Sequence, residues 1–303
     1  MSATISCREL RHQLDAGAPL LLIDIQVPEL YVCSHIPGAE NACVYEMAFL
    51  ERLAELAPDR GRTLVLYDEN GTGRGAGTAR DKLLEAGYGE VRILAGGLTG
   101  WRASGYPVES SGEQPREPRL QDGTYRIDPA ASVVEWIGRN INYRHVGRIP
   151  VRDGHITING GSLRQGSVSL DMAGLTNLDL QDANYRQMLE KHLKSDDFFD
   201  VARYPLATML LLGWEAIPGA TPGTPDHQVL GQLTIKNVTR TISVPVTVLP
   251  QQDGSIKAQS AFGIDRTEWN VNYGSGRLFE KLGMHLVHDR IDIELFVLAR
   301  PLD

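Results

Sequence analysis

Residues 65–77, VLYDENGTGRGAG, decide how the first third of this chain folds. The run Thr63, Leu64, Val65, Leu66, Tyr67 has the continuous apolar character of a strand buried on both faces. It feeds a turn carrying Gly71, Gly73, Gly75 and Gly77, and a helical pattern follows from Thr78 to Ala86. Strand, glycine-rich turn and helix in that order present backbone N–H groups at a helix N-terminus, where an anion or a thiolate is stabilised. The residue leaving the strand is Asp68, followed by Glu69, Asn70, Gly71, Thr72, Gly73 and Arg74.

Outward from this turn, 303 residues at 42% hydrophobic content suffice for two substantial cores. A net charge of −8 argues against a nucleic-acid partner that relies on a basic face. No run approaches the roughly 18 apolar residues of a membrane span. The opening MSATISCREL has neither the basic nor the apolar region of a secretory signal, so a cytoplasmic location is expected. Cys7, Cys33 and Cys43 share no metal-ligand spacing and suit a reducing compartment, with Cys33 read as structural. His285 and His288, three apart in what reads as an extended stretch, are expected on opposite faces, and no metal site is expected. The Gly-x-Gly patterns at Gly71–Gly73 and Gly274–Gly276 complete no dinucleotide or phosphate-loop fingerprint, and no cofactor is expected.

Composition shifts after Val108. The polar segment ESSGEQPREPRLQDG (109–123) has two prolines and no apolar periodicity, which reads as a linker over 111–121 between domains at 1–110 and 122–303. Beyond it, short alternating runs such as SVVEWIG, SVSLDM, TISVPVTV, AFGI and RIDIELFV predict an antiparallel all-β sandwich or barrel. Parity puts Val134 and Trp136 on one strand face, Val168, Leu170 and Met172 on another, and Ile291, Ile293, Leu295 and Val297 on the last, with Asp292 and Glu294 facing out. One helix interrupts the series. From Asp182, a candidate cap, to Lys194, the stripe Tyr185, Met188, Leu189, His192, Leu193 packs on the core or lids a cavity. Phe198 and Phe199 either gate a barrel mouth or anchor its end. Arg266 and Trp269 hold a strand corner or touch a ligand head group. Asp196, Asp197 and Asp200 lack a calcium-loop spacing and read as a solvated turn. Pattern alone leaves a filled core and a ligand cavity equally open.

The flanks of the first motif carry a resemblance. LLIDIQVPELYVCSHIPGAEN (21–41) and VRILAGGLTGWRASGYPVE (91–109) enclose the glycine-rich turn, and together they resemble a rhodanese domain, an α/β parallel sheet with flanking helices. The resemblance implies a persulfide-carrying cysteine where this chain has Asp68, and an arginine where it has Gln26. A carboxylate is a hard oxygen nucleophile that holds no sulfane sulfur, and its charge opposes an entering anion. The domain is therefore expected to be catalytically silent.

A second resemblance covers the rest of the chain. YRIDPAASVVEW (125–136), HLKSDDFFDVARYPLATM (192–209), GQLTIKNVTRTISVPVTV (231–248) and FGIDRTEWNVNYGSG with its following DRIDIELFV strand are similar to the YceI-like family of lipocalin-like barrels. That likeness implies a barrel enclosing a polyisoprenoid, an isoprenoid quinone or another long amphiphilic lipid. The expected function is a lipid carrier or sensor, with the first domain docking a protein partner or regulating. A sulfurtransferase with an atypical loop and a ligand-free scaffold are the alternatives, and a homodimer stays open. The expected ligand-facing residues are Val134, Trp136, Val168, Leu170, Met172, Phe198, Phe199, Phe262, Ile264, Trp269, Ile293 and Leu295.

Overall fold

The computed structural model describes residues 3–110 and 117–302, so residues 111–116 of the expected linker lie outside the described residues. The chain divides into two compact units at Arg116/Glu117.

The first unit runs β1 (Thr4–Ile5), α1 (Cys7–Asp15), β2 (Leu20–Asp24), α2 (Pro28–Cys33), β3 (Glu40–Asn41), α3 (Phe49–Leu56), β4 (Thr63–Tyr67), α4 (Arg74–Glu85), β5 (Val91–Leu94) and α5 (Gly97–Ala103). Its five strands form a parallel sheet in the order β1-β5-β4-β2-β3. The central strand shows why its sequence is an unbroken apolar run. Leu64 and Leu66 point to the face packed by Phe49, Leu53, Ala79 and Leu83. Val65 and Tyr67 point to the opposite face, with Leu10, Leu98 and Trp101. Both faces of β4 are thus covered by helices.

Helix α4 begins at Arg74, four residues before the periodicity predicts. Gly75 and Gly77, which suggest turn, lie inside it.

The second unit contains β6 (Gly123–Ile127), β7 (Val133–Arg139), β8 (Arg144–Arg148), β9 (Val151–Asn159), β10 (Ser162–Asp171), β11 (Thr176–Asn177), α6 (Ala183–Lys194), β12 (Leu206–Ala216), β13 (His227–Ile235), β14 (Val238–Pro250), β15 (Ile256–Asp265) and β16 (Arg290–Pro301). Antiparallel pairing runs β6-β9-β10-β12-β13-β14-β15-β16 and returns from β16 to β6, closing an eight-stranded barrel. Closure leaves no free edge along this circuit. Strand β7 pairs with β16 ahead of β6, and β8 pairs with β7, so the barrel wall at that end is built by β7 and β8.

The registers fix which loops share an end. Asp265 lies opposite Arg290, Arg139 opposite Arg144, Asp171 opposite Leu206, and Ile235 opposite Val238. Helix α6, the β7–β8 hairpin and the segment 266–289 therefore all gather at one end of the barrel. Asp182 caps α6 as expected, its carboxylate accepting the N–H of Asn184 at 2.8 Å and of Tyr185 at 3.1 Å.

Candidate functional site

Alternation along each strand sends every second side chain inward, and the barrel interior holds a cavity of about 480 Å³. That falls within the roughly 300–1,000 Å³ of small-molecule sites. Val134 and Trp136 reach it from β7, Val168 and Leu170 from β10, Met172 just beyond, Phe262 and Ile264 from β15, and Ile293 and Leu295 from β16. Phe198 and Phe199 close on it from the segment after α6.

Trp269 does not line it. Its indole is buried and donates to the Leu233 carbonyl at 2.9 Å, which makes it a corner anchor. Arg266 sits in the wall with its guanidinium spent on the carbonyls of His288 (3.0 Å), Val287 (3.1 Å) and Val271, and over the Phe198 ring. Burial pulls its pKa down, and the Asp289 charge acts against that shift.

The strand parity of β12, β13 and β14 adds Met209, Leu211, Val229, Leu233, Val244 and Val246, which the same alternation would have found. The contributors from loops and helix were not legible that way. Leu189, His192 and Leu193 of α6 face the cavity, while Tyr185 and Met188 of the same stripe are each 65% exposed. The stripe divides because only its C-terminal half lies over the barrel. Both His285 and His288 line the cavity. The expected opposition fails because Gly283–His285 is a 3-10 turn rather than extended chain. Asp196 and Asp197 are exposed, as expected of a solvated turn, but Asp200 is buried at φ 47° with Arg203 3.4 Å away.

One end of the cavity is sealed and the other open. Ile127, Leu163, Ile256 and Ala299, at the end away from α6, are almost wholly buried, whereas Tyr273 and Met284 line the cavity near α6 and are 37% and 74% exposed. The lining is apolar through its depth and polar at the open end, where Arg139, Asn140, His145, His192, Tyr273, His285 and His288 gather. His192 meets the rings of Tyr273 and Phe198 edge-on, at 4.5 and 5.2 Å. Ile141, Tyr143, Leu178, Leu278 and Phe279 stand exposed on the segments around this opening.

In the first unit, Asp68 follows β4 and turns back on its own loop. Its carboxylate accepts the Gly71 N–H at 2.5 Å, and its carbonyl accepts from Leu98 N at 2.9 Å. Gly71 has φ +70°, and a Cβ there would fall 2.6 Å from the Leu94 carbonyl, so the loop needs glycine at that point. Asn70 accepts from Thr72 through both N (3.0 Å) and Oγ1 (2.9 Å). Glu69 accepts from Thr99 Oγ1 at 2.8 Å and pairs with Arg102 at 3.3 Å. The loop N–H groups of residues 71 and 72 are therefore satisfied from within. Gln26 is buried beside Asp24, to which its backbone N–H donates at 2.9 Å, and burial raises the Asp24 pKa. Cys33 and Cys43 are buried, and burial raises the pKa of the half-buried Cys7.

The family model of the YceI-like domain matches residues 125–299, and that of the rhodanese-like domain matches residues 6–104. The thiosulfate sulfurtransferase PspE of Escherichia coli is 41% identical over 76 residues, covering 25% of this chain and 68% of that protein. The probable adenylyltransferase/sulfurtransferase MoeZ of Mycobacterium tuberculosis is 37% identical over 99 residues, 33% of this chain, which spans only 24% of that relative. Among solved structures, BcnA of Burkholderia cenocepacia is 24% identical with a TM-score of 0.44, covering 57% of this chain and 98% of that one. A polyisoprenoid binding domain from Saccharophagus degradans is 15% identical with a TM-score of 0.45, covering 60% and 100%.

Proposed function

The chain belongs to the YceI-like domain family through residues 125–299 and carries a rhodanese-like domain over residues 6–104, and from that membership we propose that it binds a lipid, enclosing a long-chain isoprenoid, isoprenoid quinone or similar amphiphile in its barrel. The observation that carries this reading is the apolar cavity of about 480 Å³, sealed at one end and open at the other. An apolar chain drawn into it gains roughly 25 cal/mol per Å² removed from water, enough for about micromolar binding after the cost of ordering. The exposed apolar side chains around the opening favour entry there, since a lipid tail meets apolar surface before it meets the lumen.

The first domain acts in this reading as a docking or regulatory module without sulfur-transfer chemistry. Asp68 supplies no thiolate, and its carboxylate already takes the Gly71 N–H that would otherwise face an anion. Support for a sulfurtransferase comes from the names of the relatives it resembles, whereas the loop chemistry favours a silent domain.

The experiment is organic extraction and native mass spectrometry of the purified full chain, with Trp136→Arg as the control. Trp136 lines the lumen and is 7% exposed, so a guanidinium there charges an apolar wall and abolishes lipid retention. Recovery of no lipid, together with an unchanged Tm on adding isoprenoid or quinone analogues, would overturn the proposal.

A further inference from the structure

We infer that the cavity selects amphiphiles with an anionic, oxygen-rich head, a carboxylate or a phosphate, which binds at the α6 end to Arg139, Asn140, His285 and His288. The inference rests on the lipid-binding reading and deepens it by naming the head group.

Asp and Glu make up 38 of the 303 residues, yet among the described residues none lines the cavity. Its charged and ionisable lining consists instead of two arginines, four histidines and a tyrosine. The carboxylates nearby are partners of those side chains rather than lining. Asp292 pairs with Arg139 and Arg290, Asp179 holds His145 at 2.9 Å, Asp197 stands 3.8 Å from His192, and Asp289 stands 3.6 Å from Arg266. A head group seated at the opening therefore meets N–H groups of the lining, and among the described residues no carboxylate lines the cavity to receive a cationic amine.

The four named residues belong to one corner of the opening. Asn140 forms a β-bridge with Val287, and His288 N donates to the Arg139 carbonyl at 2.9 Å, so the end of β7 and the segment 285–288 run side by side. The polarity of Asn140 is set by its local bonds. Its Oδ1 accepts from Asn142 N at 2.8 Å and Tyr143 N at 2.7 Å, which leaves the amide Nδ2 as the free donor. Among the described residues the side chains of His285 and His288 have no hydrogen-bond partner, so either ring can present an N–H. Arg139 gives one terminal nitrogen to Asp292 and keeps further N–H groups. This is a donor set for oxygen atoms, and charge-assisted bonds are stronger than neutral ones.

The test measures the affinity of the full chain for four probes of equal chain length: palmitate, hexadecyl phosphate, hexadecanol and hexadecylamine. At least one of the two anions should bind about tenfold tighter than the alcohol, with the amine weakest, as expected for one charge-assisted bond. Whether palmitate or hexadecyl phosphate leads distinguishes the two head groups, and either order supports the inference. Asn140→Asp keeps an oxygen for the Asn142 and Tyr143 N–H groups while replacing the free donor by a negative charge. It should weaken the anions by about tenfold and leave hexadecanol within about twofold. Equal affinities across the four probes, or an Asn140→Asp loss shared by the alcohol, would overturn the head-group inference while the lipid-binding reading stands. Failure of all four to bind would remove both.

Discussion

Asp68 concentrates the case for a silent first domain. Cyanolysis with thiosulfate is expected at background for the full chain. Asp68→Cys is expected to restore little, because Gln26 still stands in place of the arginine that the family resemblance implies, and the other loop bonds remain. Rates well above background in the unmodified chain, surviving replacement of each cysteine, would show that the loop works by other chemistry. Asp68→Ala leaves the Gly71 N–H without its acceptor and should cost about 1 kcal/mol, read from urea unfolding of the first unit. Trp269 repeats the lesson in the second unit. An aromatic beside an arginine at a strand corner suggests a ligand contact, but its indole N–H is spent on Leu233 and its ring on the core.

The C-terminal half of helix α6 lies over the open end of the barrel, and Asp182 caps its N-terminus. Replacing that cap with alanine should cost about 1 kcal/mol. If α6 gates the cavity, Asp182→Ala should also speed release of a bound lipid, which stopped-flow displacement would measure. The strands carry a separate, pH-dependent term. Burial alone would raise the carboxyls of Asp179, Asp265 and Asp292, but hydrogen bonds hold all three below the usual range: from Val146 and His145, from Thr267 and Arg277, and from Arg290 and Arg139 respectively. A folded pKa below the unfolded one means that the unfolded chain binds more protons, so this stability is present above the ordinary aspartate value near 3.8 and lost as the pH falls through and below it. Asp24 in the first unit has the opposite sign. Burial raises its pKa, so its ionisation costs stability as the pH rises, and acid relieves that cost. Melting curves between neutral and acid pH should therefore show the barrel transition falling below about pH 4. Asp292→Asn should flatten part of that dependence.

Among the described residues, each compact unit has hydrophobic cores of its own. Two melting transitions are therefore expected for the full chain, and residues 117–303 expressed alone should fold. A ligand of the barrel should raise only the barrel's transition, by an amount that grows with ligand concentration, because it stabilises the one unit that binds it. A shift of both transitions would mean that the units are energetically coupled. Among the described residues, no helix is long and apolar enough to cross a membrane.

Local signals were enough to read a covered parallel sheet in the first unit and antiparallel all-β structure in the second, with sandwich and barrel both open. The apolar run of β4 with its glycine-rich turn marked a parallel sheet covered on both faces, and period-2 alternation after residue 122 marked antiparallel strands whose inward residues could be named by parity. Those signals are short-range, set by backbone geometry and burial, and every apolar residue named by parity lines the cavity. What parity could not supply was closure. Pairing of β16 with β7 and with β6 joins residues 155 to 176 positions apart, from Asp292–Ile137 to Pro301–Tyr125, and that pairing closes the wall around the lumen. The division of the α6 stripe, the placement of His285 and His288 on the cavity lining and the corner role of Trp269 share this cause. Each depends on which distant segment packs against it, and no local pattern encodes that partner.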